Sequence, residues 1–142
     1  MKIFLKTEDE IQLMRSANQL VGRTLAELYK FVRPGITTLQ LDRIAEEFIR
    51  DNGAVPTFKN FPNPFGKPFP ASICTSVNNV VVHGIPDNLT ELRDGDVISI
   101  DCGTLFAGFN GDSCYTFRVG EVKPEVEQLL RVTKESLYKG IE

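Results

Sequence analysis

Two aspartates eleven residues apart, Asp101 and Asp112, and the single histidine of the chain, His83, are the side chains best suited to chemistry. Val97-Ile98-Ser99-Ile100-Asp101-Cys102 is a short β-branched run entered through the turn-forming Asp94-Gly95-Asp96, and Asp112 to Val119 reads as the return strand of a hairpin. Ala107-Gly108 is the best two-residue turn between them, with Gly111 as a candidate bulge. A turn centred there sets residue 103 opposite residue 112, and Asp101 two positions further along the same face, so the carboxylates form a diagonal pair with Cβ atoms roughly 7–8 Å apart. Like charges so placed repel and lose hydration, and they need a shared proton, a basic side chain or a divalent metal. Arg118, the nearest downstream base, is on the same nominal face but roughly 20 Å along the strand. Metal fits better, because carboxylates are the ligands hard cations prefer and two of them can bridge a metal pair. A solvated face of a half-exposed hairpin is the bland reading, and a three-residue loop would put the acids on opposite faces.

His83 ends the apolar run Val80-Val81-Val82 where a Gly84-Ile85-Pro86 corner begins, a good place to project a side chain over a sheet edge. Without that context, a lone histidine is more often a satisfied or solvated one. Cys74, Cys102 and Cys114 have no Cys-x-x-Cys spacing and fall in strand-like runs, so buried reduced thiols are expected rather than disulfides or a zinc cage.

The elements that must position these residues follow in order. Thr7-Glu8-Asp9-Glu10 is a capping box, and Ile11, Met14, Ala17, Val21, Leu25, Leu28 and Val32 make one apolar stripe on a helix running to about Val32, before Arg33-Pro34-Gly35. Thr37 and Gln40 form a second box, with Leu41, Ile44, Ala45, Phe48 and Ile49 facing inward until Asn52-Gly53. Both helices read as core and solvent residues only. From Ala54 to Ala71 five prolines alternate with Phe58, Phe61, Phe65 and Phe69, a rigid loop that covers the sheet or walls a substrate pocket. A strand over 72–77 and an Asn78-Asn79 turn lead to His83. After the hairpin Lys123-Pro124-Glu125 opens a last helix with Val126, Leu129, Leu130, Thr133 and Leu137 on one face. The order implies an α+β fold, an antiparallel sheet with helices packed on one side.

With 142 residues one domain is the default. A net charge of −3 without a Lys/Arg run argues against nucleic acid as the main partner. No apolar stretch approaches a membrane span and the charged N-terminus is no secretory signal, which makes the cytoplasm the default address.

Val82-His83-Gly84-Ile85-Pro86, Asp94-Gly95-Asp96, Asp101 and Gly108-Phe109-Asn110-Gly111-Asp112, in that order, resemble the N-terminal half of a type I methionine aminopeptidase. The resemblance covers essentially the whole chain and implies one half of a pita-bread fold. It implies that Asp101 chelates one of two divalent metal ions (cobalt, manganese, iron or zinc) and that Asp112 bridges both. His83 then hydrogen-bonds the substrate at the scissile amide, and Cys74 lines the methionine side-chain pocket with Phe69 as an aromatic wall. The implied reaction removes the N-terminal methionine of nascent polypeptides by a metal-activated water.

The resemblance also implies further ligands, a histidine and two glutamates, from a second half related to the first by pseudo-twofold symmetry. No histidine follows Asp112. The expectation is therefore an N-terminal half that is truncated and inactive alone, and that pairs as a homodimer over the face its second half would cover. Rival readings are a non-catalytic protein-binding module or relic on the same half-fold, and another peptidase of the fold, which His83-Gly84-Ile85-Pro86 argues against.

Overall fold

The computed structural model describes residues 3–64 and 66–142, so Met1, Lys2 and Phe65 lie outside what is described. Thr7 caps α1 (Glu8–Tyr29), its hydroxyl accepting from the Glu10 amide while Glu10 reaches back to the Thr7 amide at 2.8 Å. Thr37 and Gln40 make the same reciprocal box at the start of α2 (Thr38–Asp51). Both boxes satisfy amides that a helix cannot pair internally. α1 stops three residues short of Val32, because the chain tightens at Lys30 and the amides of both Phe31 and Val32 turn to the Leu28 carbonyl. Ala17, Val21, Leu25 and Leu28 are buried as the spacing requires, whereas Ile11 is exposed, beyond the reach of the sheet.

Among the described residues four strands make one sheet: β1 (Val55–Pro56), β2 (Ile73–Val77), β3 (Val97–Phe106) and β4 (Phe109–Arg118). β3 is central. One edge of it pairs antiparallel with β2 along Ile98–Cys102 and then with β1 at Thr104 and Leu105, and the other edge pairs with β4 over its whole length. β1 corrects the reading of 54–71 as loop throughout; its Pro56 sits in an edge strand, where a missing N–H is tolerated. The rest of that segment folds on itself, Asn60 N–H donating to the Phe69 carbonyl and Phe69 N–H to that of Phe61. Alternation along β3 sends Ile98, Ile100, Cys102 and Thr104 toward the helices and Ser99, Asp101, Gly103 and Leu105 to the opposite face. Leu20, Leu28, Leu41 and Ile49 meet Ile73, Ile98, Ile100 and Val119 to form the core, so helices cover one side of an antiparallel sheet. This is the expected α+β arrangement.

Two helical residues depart from the division into core and solvent. Asp42 on α2 is buried and accepts from the amides of Ser72 and Ile73 at 2.7 and 3.0 Å, tying the start of β2 to the helix. Asn18 on α1 accepts from the Asp112 amide at the free edge of β4. The last helix, α3 (Pro124–Ile141), begins at the expected proline but buries no side chain. Leu129 and Leu137 are 64% and 63% exposed, so its apolar stripe lacks a covering partner among the described residues. No helix among the described residues is long and apolar enough to cross a membrane.

Burial pushes the Asp42 carboxyl above its ordinary value, with Glu46 adding to the effect and the Ile73 and Ser72 amides opposing it. The folded chain then holds that proton more tightly than the unfolded chain, so the contribution to stability is complete below the ordinary carboxylate range and is lost as pH rises through the raised value. Asp42→Ala leaves two buried amides unpaired and should lower unfolding stability by about 2–3 kcal/mol in urea titrations. Asp42→Asn keeps an acceptor, and it should gain on the wild type as pH rises from acid toward neutrality; a difference independent of pH would contradict this account.

Candidate metal centre

The hairpin turn is Ala107-Gly108, both residues at positive φ (50° and 83°), as a two-residue turn matched to strand twist demands. It fixes the register: Gly103 faces Asp112 and Asp101 faces Cys114. Asp101 and Asp112 therefore share the face turned away from the helices, as the spacing predicts. The expected bulge at Gly111 is absent. The ladder runs unbroken through Thr104↔Gly111, and Gly111 instead lets the Ala17 carbonyl of α1 settle over the strand, where the Thr104 hydroxyl also donates to it at 3.3 Å.

The two acids converge. Burial is the largest cause of a raised Asp101 value, and the Asp112 charge and a side-chain hydrogen bond with Asp112 come next. The His83 imidazole and the Cys102 amide act in the opposite sense. The three residues singled out by type are thus brought together, two like charges beside one imidazole, where positive charge is called for. Arg118 offers none, because it pairs with Glu127 at 3.1 Å.

His83 occupies the left-handed region at φ 58°, an uncommon conformation that its neighbours impose. The Thr75 amide donates to the Gly84 carbonyl at 2.8 Å and the Gly84 amide to the Ser76 hydroxyl at 3.3 Å, so the corner after His83 is laced to the outer edge of β2. A Cβ on Gly84 would collide with the Thr75 carbonyl oxygen. The run before the histidine is no core strand, since Val81 and Val82 are 88% and 63% exposed.

Cys74 sits beside Asp101 across β2 and β3, and burial, then the Asp101 charge, pushes its thiol up to about 12. Cys74, Asp101 and Cys114 form a row across three strands. All three cysteines are free, but Cys114 is exposed, which corrects the expectation of burial for all of them: its strand position turns it to the face without helices. Phe69 is half-buried, its backbone paired within the loop. Sequence reasoning missed Thr57 and placed Phe58 only within the loop over the sheet; both side chains lie against Gly103, while the Thr57 amide donates to the Gly103 carbonyl. The signal was an isolated glycine inside a strand, a mark of close approach.

The donor set, two neighbouring carboxylates, suits a hard divalent cation. Among the described residues no group of three or more His, Cys, Asp or Glu could hold a metal ion, so the pair amounts to part of a coordination shell.

Comparison with known proteins gives the family. The sequence profile of metallopeptidase family M24 matches residues 12–142. The chain belongs to that family. This M24 chain is 55% identical over 140 residues to the methionine aminopeptidase of Clostridium perfringens, covering 99% of itself and 54% of that protein. It is 47% identical over the same length to methionine aminopeptidase 1 of Bacillus subtilis, again 54% of that protein. The crystal structure of methionine aminopeptidase from Rickettsia prowazekii superposes with a TM-score of 0.91 at 37% identity, over 99% of this chain and 54% of that one. The fold is accordingly that of one half of a pita-bread structure. The M24 chain spans about half the length of the curated relatives it matches.

Gly84→Ala should force the corner off β2 and move His83. A loss of about 1–3 kcal/mol in stability is expected, together with displaced His83 imidazole signals in NMR spectra. Unchanged imidazole signals would show that Gly84 does not set the position of the histidine.

Proposed function

We propose that this chain is the N-terminal half of a cytoplasmic methionine aminopeptidase that trims the initiator methionine from nascent polypeptides. The observation that carries the reading is the convergence of Asp101, Asp112 and His83 on the sheet face opposite the helices. Asp101 and Asp112 would hold two divalent ions, cobalt, manganese, iron or zinc according to availability. When bound, such ions supply Lewis acidity at a peptide carbonyl and a water acidic enough to be deprotonated near neutral pH. His83 stands at the rim of that face to hydrogen-bond the scissile amide, and the αL conformation with the lacing of Gly84 holds it there. The Cys74 thiol stays protonated, an apolar and polarizable surface suited to a methionine thioether. Phe69, Thr57 and Phe58 supply the neighbouring wall, and their bulk beside Gly103 limits the depth of the side-chain pocket.

Two carboxylates are too few for a catalytic metal. The 142-residue chain alone should bind manganese or cobalt only weakly in calorimetry, with Kd roughly 10⁻⁴–10⁻³ M, and Asp112→Ala should abolish the uptake. Release of methionine from a Met-Ala-Ser peptide should fall far below an ordinary turnover of about 10 s⁻¹. Equal metal uptake by wild type and Asp112→Ala would contradict the assignment of the acids, and ordinary turnover would contradict the need for further ligands.

The uncovered stripe of α3 favours self-association of the isolated chain as well, a homodimer about the pseudo-twofold that would relate the two halves. Light scattering should give twice the chain mass at high concentration, and a monomer at every concentration would exclude it.

A further inference from the structure

On the helix side of the sheet, away from the acids, the α1–α2 junction forms a cleft of about 520 Å³. Phe31, Pro34, Ile36 and Ile44 give it apolar walls, and Arg33 and Arg43 give it charge. No acidic residue lines it. Several surface bases are paired, Lys30 with Glu27, Arg50 and Lys59 with Glu46, and Arg131 with Glu135, whereas Lys6, Arg15, Arg23, Lys67, Arg93, Lys123 and Lys134 make no ion pair among the described residues and line no part of this cleft. Arg33 and Arg43 make no ion pair among the described residues, although the chain carries a net charge of −3. Glu46 and Glu47, one turn after Arg43 on α2, make no ion pair with it; Glu46 pairs with Arg50 and Lys59 instead.

The cleft is also rigid. Gly35, at φ 90°, donates its amide to the Leu92 carbonyl at 2.9 Å, and the Leu92 amide returns a bond to Ile36 at 2.9 Å. The Thr37–Gln40 box fixes the adjoining helix start. Arginines lining an apolar cleft offer guanidinium forks to a bidentate anion, while the walls gain from an apolar body.

We propose that this cleft is a docking site for an acidic peptide segment in which a carboxylate follows a bulky apolar side chain. The two arginines take the carboxylate, and Phe31, Ile36 and Ile44 take the apolar neighbour. A nucleic acid would meet only two bases on an otherwise acidic chain, too little charge to hold a phosphate backbone. The site is independent of the metal face and of the activity proposed above.

Titration of the isotopically labelled full chain by NMR tests it, with acetyl-Leu-Phe-Asp-Glu-amide as the probe. Saturable shifts of the Gly35, Gln40 and Ile44 amides are expected. The Asn-Gln version of the peptide should bind at least roughly tenfold more weakly, as should the chain carrying Arg33→Gln and Arg43→Gln. Both arginines are exposed, and an otherwise unchanged spectrum will show that the variant is folded. The proposal is overturned if the uncharged peptide binds equally well, if inorganic phosphate alone saturates the same amides as tightly, if a short oligouridylate binds more tightly, or if no shift saturates.

Discussion

Everything at the candidate metal centre depends on one register, Gly103 opposite Asp112, set by a two-residue turn at Ala107-Gly108. A side-chain period of two means that a slip by one residue would send one of the two acids into the helical core. The register holds because the other face cannot be surrendered. Ile98, Ile100, Cys102 and Thr104 are buried against the helices, and so are their partners Phe117, Thr75, Ile73 and Gly111. The core therefore fixes the chemistry from behind, by forcing the odd-numbered residues of β3 outward.

What the outward face then carries is an electrostatic problem. Asp101 and Asp112 are close enough to share a hydrogen bond, Asp101 is raised mostly by lost hydration, and the imidazole of His83 acts in the opposite sense. A fold with no use for positive charge here would place a lysine or an amide at one of these positions.

Much of this was legible in the residues themselves. Capping boxes at Thr7 and Thr37, the turn at Ala107-Gly108 and the proline opening α3 are local signals, and each lies where its chemistry says it should. The facing of Asp101 and Asp112 followed from turn length and strand period alone. The failures were non-local. Asp42 reads as a solvated helix residue until β2 arrives to offer it two amides, and Asn18 until β4 brings the Asp112 amide. β1 was hidden by its proline, which strand propensity counts against and an edge tolerates. Gly111 was read as a bulge because a strand glycine signals either a kink or a close neighbour, and only the packing of α1 decides between them. Thr57 and Phe58 reach the site through the same property of Gly103, across more than forty intervening residues.

The most direct test of the centre is paramagnetic. Manganese added in small increments to the labelled chain should broaden first, and together, the signals of Asp101, Asp112 and His83, with Cys74 and Cys114 close behind and the helix-side core last. Broadening that begins at surface acids such as Glu8, Asp9 or Glu125, or that spreads evenly over the chain, would show that the paired carboxylates do not form a cation site.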